Sequence, residues 1–134
     1  MNHKPVIADA GAGDWESWPT DQVAGRGDVQ WKTLISAGLT PTGALTAGVA
    51  RLSAEGRLQA HRHDQAEIYL ILEGAGTVII DGATSEAAAG MTVFIPGGAI
   101  HSIEATGQAG LRFAYVLDAD CIEDVTYVFD AASR

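Results

Sequence analysis

AEIYLILEGAGTVIIDG, residues 66–82, sets two apolar, β-branched runs end to end, joins them through glycines and closes on Asp-Gly. Runs of this length without a 3.6-residue period read as strands. Asp-Gly behind such a run marks a tight hairpin, because both central positions of that turn need positive φ. The stretch therefore predicts one strand over 66–74 ending in a glycine turn, and a second over 76–82 that turns back at its end.

The same grammar extends in both directions. VQWKTLISA (29–37), LTAGVARL (45–52), MTVFIPGG (91–98), HSIEA (101–105), LRFAYVLD (111–118) and VTYVF (125–129) are short and β-rich, with turn residues recurring every eight to twelve positions. That spacing predicts an all-β sandwich or barrel. Arg51 and Arg112 interrupt apolar runs at positions that alternate with them, so they are expected to face outward. Residues 1–28 lack a sustained period and are broken by Gly and Pro, which predicts an irregular N-terminal arm ahead of one domain over 29–134. Trp15 and Trp18 are expected to pack that arm onto something, either its own barrel or a neighbouring subunit. The Arg-Gly-Asp at 26–28 reads as a plain turn.

Composition bounds the function. The 134 residues are 47% hydrophobic and 19% charged, which describes a globular chain. Seventeen acidic against eight basic residues give a net charge of −9, which argues against nucleic acid or an anionic membrane as a partner. A single cysteine, Cys121, allows no internal disulfide, and the N-terminus has no signal-like apolar core, so a cytoplasmic home is expected.

Three of the four histidines fall where a site would need them. His61, His63, Glu67 and Tyr69 share the parity that puts side chains on one face of a strand. Two imidazoles and a carboxylate on one face suit a first-row metal with open positions. His101 follows a Pro-Gly-Gly turn that lets its strand double back toward the same point. His3, on the N-terminus, reads as exposed and idle.

GRLQAHRHDQAEIYLILEG (56–74) resembles the first motif of the cupins, and GMTVFIPGGAIH (90–101) resembles the second. The gap before His61 is slightly short, and Ala105 stands where the second motif commonly has Asn. The resemblance implies a small jelly-roll β-barrel holding one divalent transition metal (Fe, Mn, Ni, Co or Zn) on His61, His63, Glu67 and His101. More narrowly, VQWKTLI (29–35), AEIY (66–69) and EDVTYVF (123–129) look like the small cupin-type dimethylsulfoniopropionate lyases. That resemblance implies a small-molecule substrate and a catalytic role for Tyr69 or Tyr127 as the base of a β-elimination; Trp31, Phe113 and Tyr115 are candidates to face the cationic sulfur, with ordinary core packing as the alternative for each. Tyr69 packing in the barrel or supporting a ligand is the plain structural alternative. A non-haem iron dioxygenase and a non-catalytic small-molecule binder use the same ligand set and stay open. A barrel this small is also expected to pair as a homodimer, its N-terminal Trp residues and C-terminal strand being candidate elements.

Overall fold

One long strand organises the chain. In the computed structural model, which describes residues 4–129 and so leaves His3 outside, residues 67–80 form a single 14-residue strand rather than two. In chain order the strands are β1 (Glu16–Ser17), β2 (Gln30–Ile35), β3 (Thr46–Leu52), β4 (Arg57–His61), β5 (Glu67–Ile80), β6 (Ala83–Ala88), β7 (Thr92–Ile95), β8 (His101–Ala105) and β9 (Leu111–Leu117). The first half of β5 pairs with β7 and β9, and β9 continues through β3 and β2 to β1. Its second half pairs with β6 and β8, and β8 continues to β4. β5 thus belongs to both sheets of the all-β jelly roll.

The predicted glycine turn is instead a bend inside that strand. Gly74 has φ +84°, and a Cβ there would strike the Gly110 carbonyl where the neighbouring chain crosses closely. The register slips between Ile71 and Glu73. Inward positions accordingly change from Glu67, Tyr69 and Ile71 to Gly76 and Val78. The slip lets each half bury its own apolar face while the strand changes sheets. The hairpin signal holds: Asp81 and Gly82 both have positive φ (47° and 83°), and Ile80 pairs with Ala83 across the turn.

The barrel interior is packed by alternate residues: Leu111, Phe113, Tyr115 and Leu117 from β9, Ile103 and Ala105 from β8, and Ala50 and Leu52 from β3. Arg51 points out, as its alternation requires, and its Nε donates to Gln30 Oε1 at 2.8 Å. Arg112 also lies on the outer face of β9, near Glu73 at 3.7 Å.

Two segments differ from expectation. VTYVF is no strand; its only ladder contact is an isolated bridge between Val128 and Arg62. The run is β-branched, but it meets a loop rather than a strand, and propensity alone builds no ladder. β4 and β6 lie in RLQAH and ATSEAA, which carry little of the apolar signal that marks a strand. Residues 4–28 are mostly irregular. Trp18 packs against Trp31, Tyr127 and Phe129 of the same chain, and the buried Lys32 ammonium donates to the carbonyls of Ala10 and Ala12 at 2.9 and 3.3 Å. No helix among the described residues is long and apolar enough to cross a membrane.

Candidate metal centre

His61 ends β4 and His101 begins β8, and the two are direct partners across the ladder. The Pro-Gly-Gly turn produces that pairing: Ala99 N–H donates to Pro96 O, and Gly98, with φ +81°, donates to His63 O at 2.8 Å. His63 follows in the loop after β4, and Glu67 opens β5. One ring nitrogen from each of His61, His63 and His101 lies within 4.8 Å of the others, and all three side chains are buried. Glu67 Oε1 stands 3.1 Å from His63 Nε2 and 3.4 Å from His101 Nε2.

The backbone decides which nitrogen faces the cluster. Nδ1 of His61 lies 2.7 Å from Gln59 O, Nδ1 of His63 2.9 Å from Gln65 O, and Nδ1 of His101 2.9 Å from Ala99 O. A carbonyl only accepts, so each Nδ1 carries the hydrogen and donates it. Each Nε2 is left with a lone pair directed inward, the arrangement that metal-ligating histidines use.

This donor set has too many lone pairs to be at rest by itself. Nε2 of His63 and a carboxylate oxygen of Glu67 are both acceptors, yet they sit 3.1 Å apart. Only a cation between them, a proton or a metal ion, reconciles the contact. His101 Nε2 is fully buried and makes no hydrogen bond. Burial, and next the charge of His101, pull His61 down to about 3, so it stays neutral and able to coordinate at physiological pH. Burial raises Glu67, but the neighbouring His101 and His63 outweigh it and hold the carboxylate below its ordinary range. These four side chains fit a divalent transition ion held by imidazole and carboxylate.

His61 and Glu67 of the cluster line a cavity of about 890 Å³ inside the barrel. Three phenols face it. Tyr69 lies on β5 two residues beyond Glu67, with its ring 6.3 Å from His101 and 4.6 Å from Phe113. Tyr127 arrives from the C-terminal segment, its ring 5.7 Å from His61 and 5.5 Å from His63. Tyr115 OH shares a 2.9 Å hydrogen bond with Thr33 Oγ1, whereas the hydroxyls of Tyr69 and Tyr127 have no protein partner among the described residues. Burial, reinforced by the Glu67 charge, raises Tyr69 well above 10 and also raises Tyr127. Burial pushes Tyr115 up to about 12.

Of the six site residues expected from the sequence, His61, Glu67, Tyr69 and Tyr127 line this cavity, while His63 and His101 belong to the cluster without lining it; Trp31 and Phe113 line it too. Sequence reasoning missed the carbonyls of Gln59, Gln65 and Ala99, which leave no trace in side-chain pattern. It also missed Glu16 and Trp18 as lining residues, since an arm without a period gives no facing to read.

A family model described as a cupin domain (Cupin_2) matches residues 48–118. Over 107 residues the chain is 40% identical to dimethylsulfoniopropionate lyase DddW of Ruegeria pomeroyi, covering 80% of this chain and 70% of that one. A predicted oxalate decarboxylase of Thermotoga maritima superposes with a TM-score of 0.73 at 27% identity, covering 85% of this chain and 99% of that one. A cupin-2 domain protein of Rhodospirillum rubrum superposes with a TM-score of 0.72 at 24% identity, covering 90% and 78%.

Proposed function

The chain belongs to the cupin family, and on that premise we propose that it is a metal-dependent lyase cleaving dimethylsulfoniopropionate, or a closely similar sulfonium carboxylate, by β-elimination. The observation that carries the reading is the pair of phenols, Tyr69 and Tyr127, beside the histidine–carboxylate cluster in one cavity, neither hydroxyl having a partner among the described residues. The 40% identity to a dimethylsulfoniopropionate lyase supports it.

His61, His63, His101 and Glu67 would hold a divalent ion, whose positive charge would favour a bound carboxylate, acidify the carbon α to it and lower the pKa of a nearby phenol. The protein's own part is positioning and proton transfer. Tyr69 or Tyr127, as phenolate, accepts the proton from the carbon α to the carboxylate. The C–H pair becomes the new C=C bond, the bond from the β-carbon to sulfur breaks, and its pair leaves on neutral dimethyl sulfide, with acrylate remaining. Tyr115 is the weaker candidate because Thr33 already engages its hydroxyl.

The test is headspace gas chromatography of protein loaded in turn with Fe(II), Mn(II), Ni(II), Co(II) and Zn(II) and given dimethylsulfoniopropionate. Metal-dependent dimethyl sulfide release, lost in His61→Ala, is the expected result. No release from folded, metal-loaded protein with every ion would overturn the reading, and substrate-dependent oxygen uptake in the same samples would replace it with an oxygenase.

A further inference from the structure

Arg62 lies between the two ligands His61 and His63, and its backbone is paired with the C-terminal segment. Arg62 N–H donates to Val128 O at 3.1 Å, and Val128 N–H donates to Arg62 O at 2.9 Å. A residue pair that exchanges both bonds sets an antiparallel register, so His63 stands opposite Tyr127 and His61 opposite Phe129. The rings follow that register: His63 lies 5.5 Å from Tyr127, and His61 lies 5.1 Å from Phe129. Two ligands and two aromatic side chains thus share one face, while the Arg62 side chain is exposed on the other. Among the described residues this bridge is the segment's only ladder contact. Its second fastening is aromatic, the Arg26 guanidinium lying over Trp18 at 4.7 Å and over Phe129 at 4.9 Å. Two hydrogen bonds return little more than the entropy of fixing the residues that make them. A bridge one pair wide is therefore sensitive to whether one of its sides is already held.

We propose that the Arg62–Val128 bridge positions Tyr127 and links its docking to metal binding. An ion that fixes His61 and His63 also fixes the peptide between them, which is the template on which residues 125–129 dock. The coupling is reciprocal: docking that is tightened by the metal must tighten the metal in return. Loading the site thereby completes the placement of the phenol, and the metal-free chain holds it more loosely. The inference rests on the reading above only in taking His61, His63, His101 and Glu67 to hold a divalent ion.

The test compares Val128→Pro, which lacks the donated N–H, with Val128→Thr, which keeps it. Zn(II) affinity is measured by competition with a chromophoric chelator. Hydrogen exchange over residues 125–129 is followed by mass spectrometry with and without Zn(II). Loss of one hydrogen bond should weaken Zn(II) binding about three- to tenfold in Val128→Pro, whereas Val128→Thr should bind as the wild type does. Zn(II) should slow exchange over 125–129 in the wild type and leave it unchanged in Val128→Pro. Wild-type affinity in Val128→Pro, an equal loss in Val128→Thr, or wild-type exchange that ignores Zn(II) would overturn the proposal. The last of these needs no variant to fold. Neither readout depends on turnover. Coupled binding and exchange without dimethyl sulfide release keep the bridge and sink the lyase, and release with uncoupled binding does the reverse. A wild type that binds no Zn(II) ends both.

Discussion

Tyr69 and Tyr127 reach the same cavity from different parts of the chain, and single substitutions separate their roles. If one is the base, its Phe variant should lose about 10²–10⁴ in turnover while metal content, read by plasma mass spectrometry, stays at the wild-type level. The other Phe variant should lose far less. Full activity in both variants would end the tyrosine mechanism. His61 gives a second test at this scale. Its value of about 3 in the folded, metal-free protein lies below the ordinary 6.5 of the unfolded chain, so the unfolded chain takes up that proton first. The stability that depends on a neutral His61 is therefore full above pH 6.5 and falls as pH drops from 6.5 toward 3, by up to about 1.4 kcal/mol per pH unit. Urea unfolding of metal-free protein should show that slope, and His61→Gln should flatten it. The ligands themselves were legible because His-x-His, Glu67 and His101 carry chemistry in residue type and spacing. Their orientation was not, because it depends on the backbone carbonyls of Gln59, Gln65 and Ala99.

At the scale of the element, β5 tests why one glycine bends a strand and another ends it. Gly74 and Gly82 have nearly equal φ, +84° and +83°, yet a Cβ on Gly74 would strike the Gly110 carbonyl while one on Gly82 meets nothing within 4 Å. Gly82→Ala should cost about 1 kcal/mol, the strain of the left-handed backbone alone. Gly74→Ala should cost clearly more, about 2–4 kcal/mol, because two backbones must also separate. Denaturant midpoints of the two variants check this, and equal losses would remove the close crossing from the account. Sequence marks a glycine as a break in pattern but not as a reversal or a bend. The difference at Gly74 lies in Gly110, dozens of residues away, and no local reading reaches it. For the same reason β6, made of small and polar residues, is a strand only because β5 offers it a full edge.

Across the whole molecule, the four buried polar side chains that fit a cation tie the fold to the metal proposed above. Removing the ion with a chelator should lower the melting temperature, and restoring it a hundredfold above its dissociation constant should return about 2.7 kcal/mol. Scanning calorimetry should read that as a rise of several degrees. His61→Ala should melt at the same temperature with and without metal. The packing of Trp18 against Tyr127 and Phe129 sets a different kind of limit, one of timing. A chain made from its N-terminus can gather His61, His63, Glu67 and His101 once β8 has emerged. The packing of Trp18 must wait for Tyr127 and Phe129, because an early residue there meets nearly the last one described. Contacts of such long sequence separation form slowly. A chain in synthesis therefore holds all four ligands before Trp18 can find its C-terminal partners.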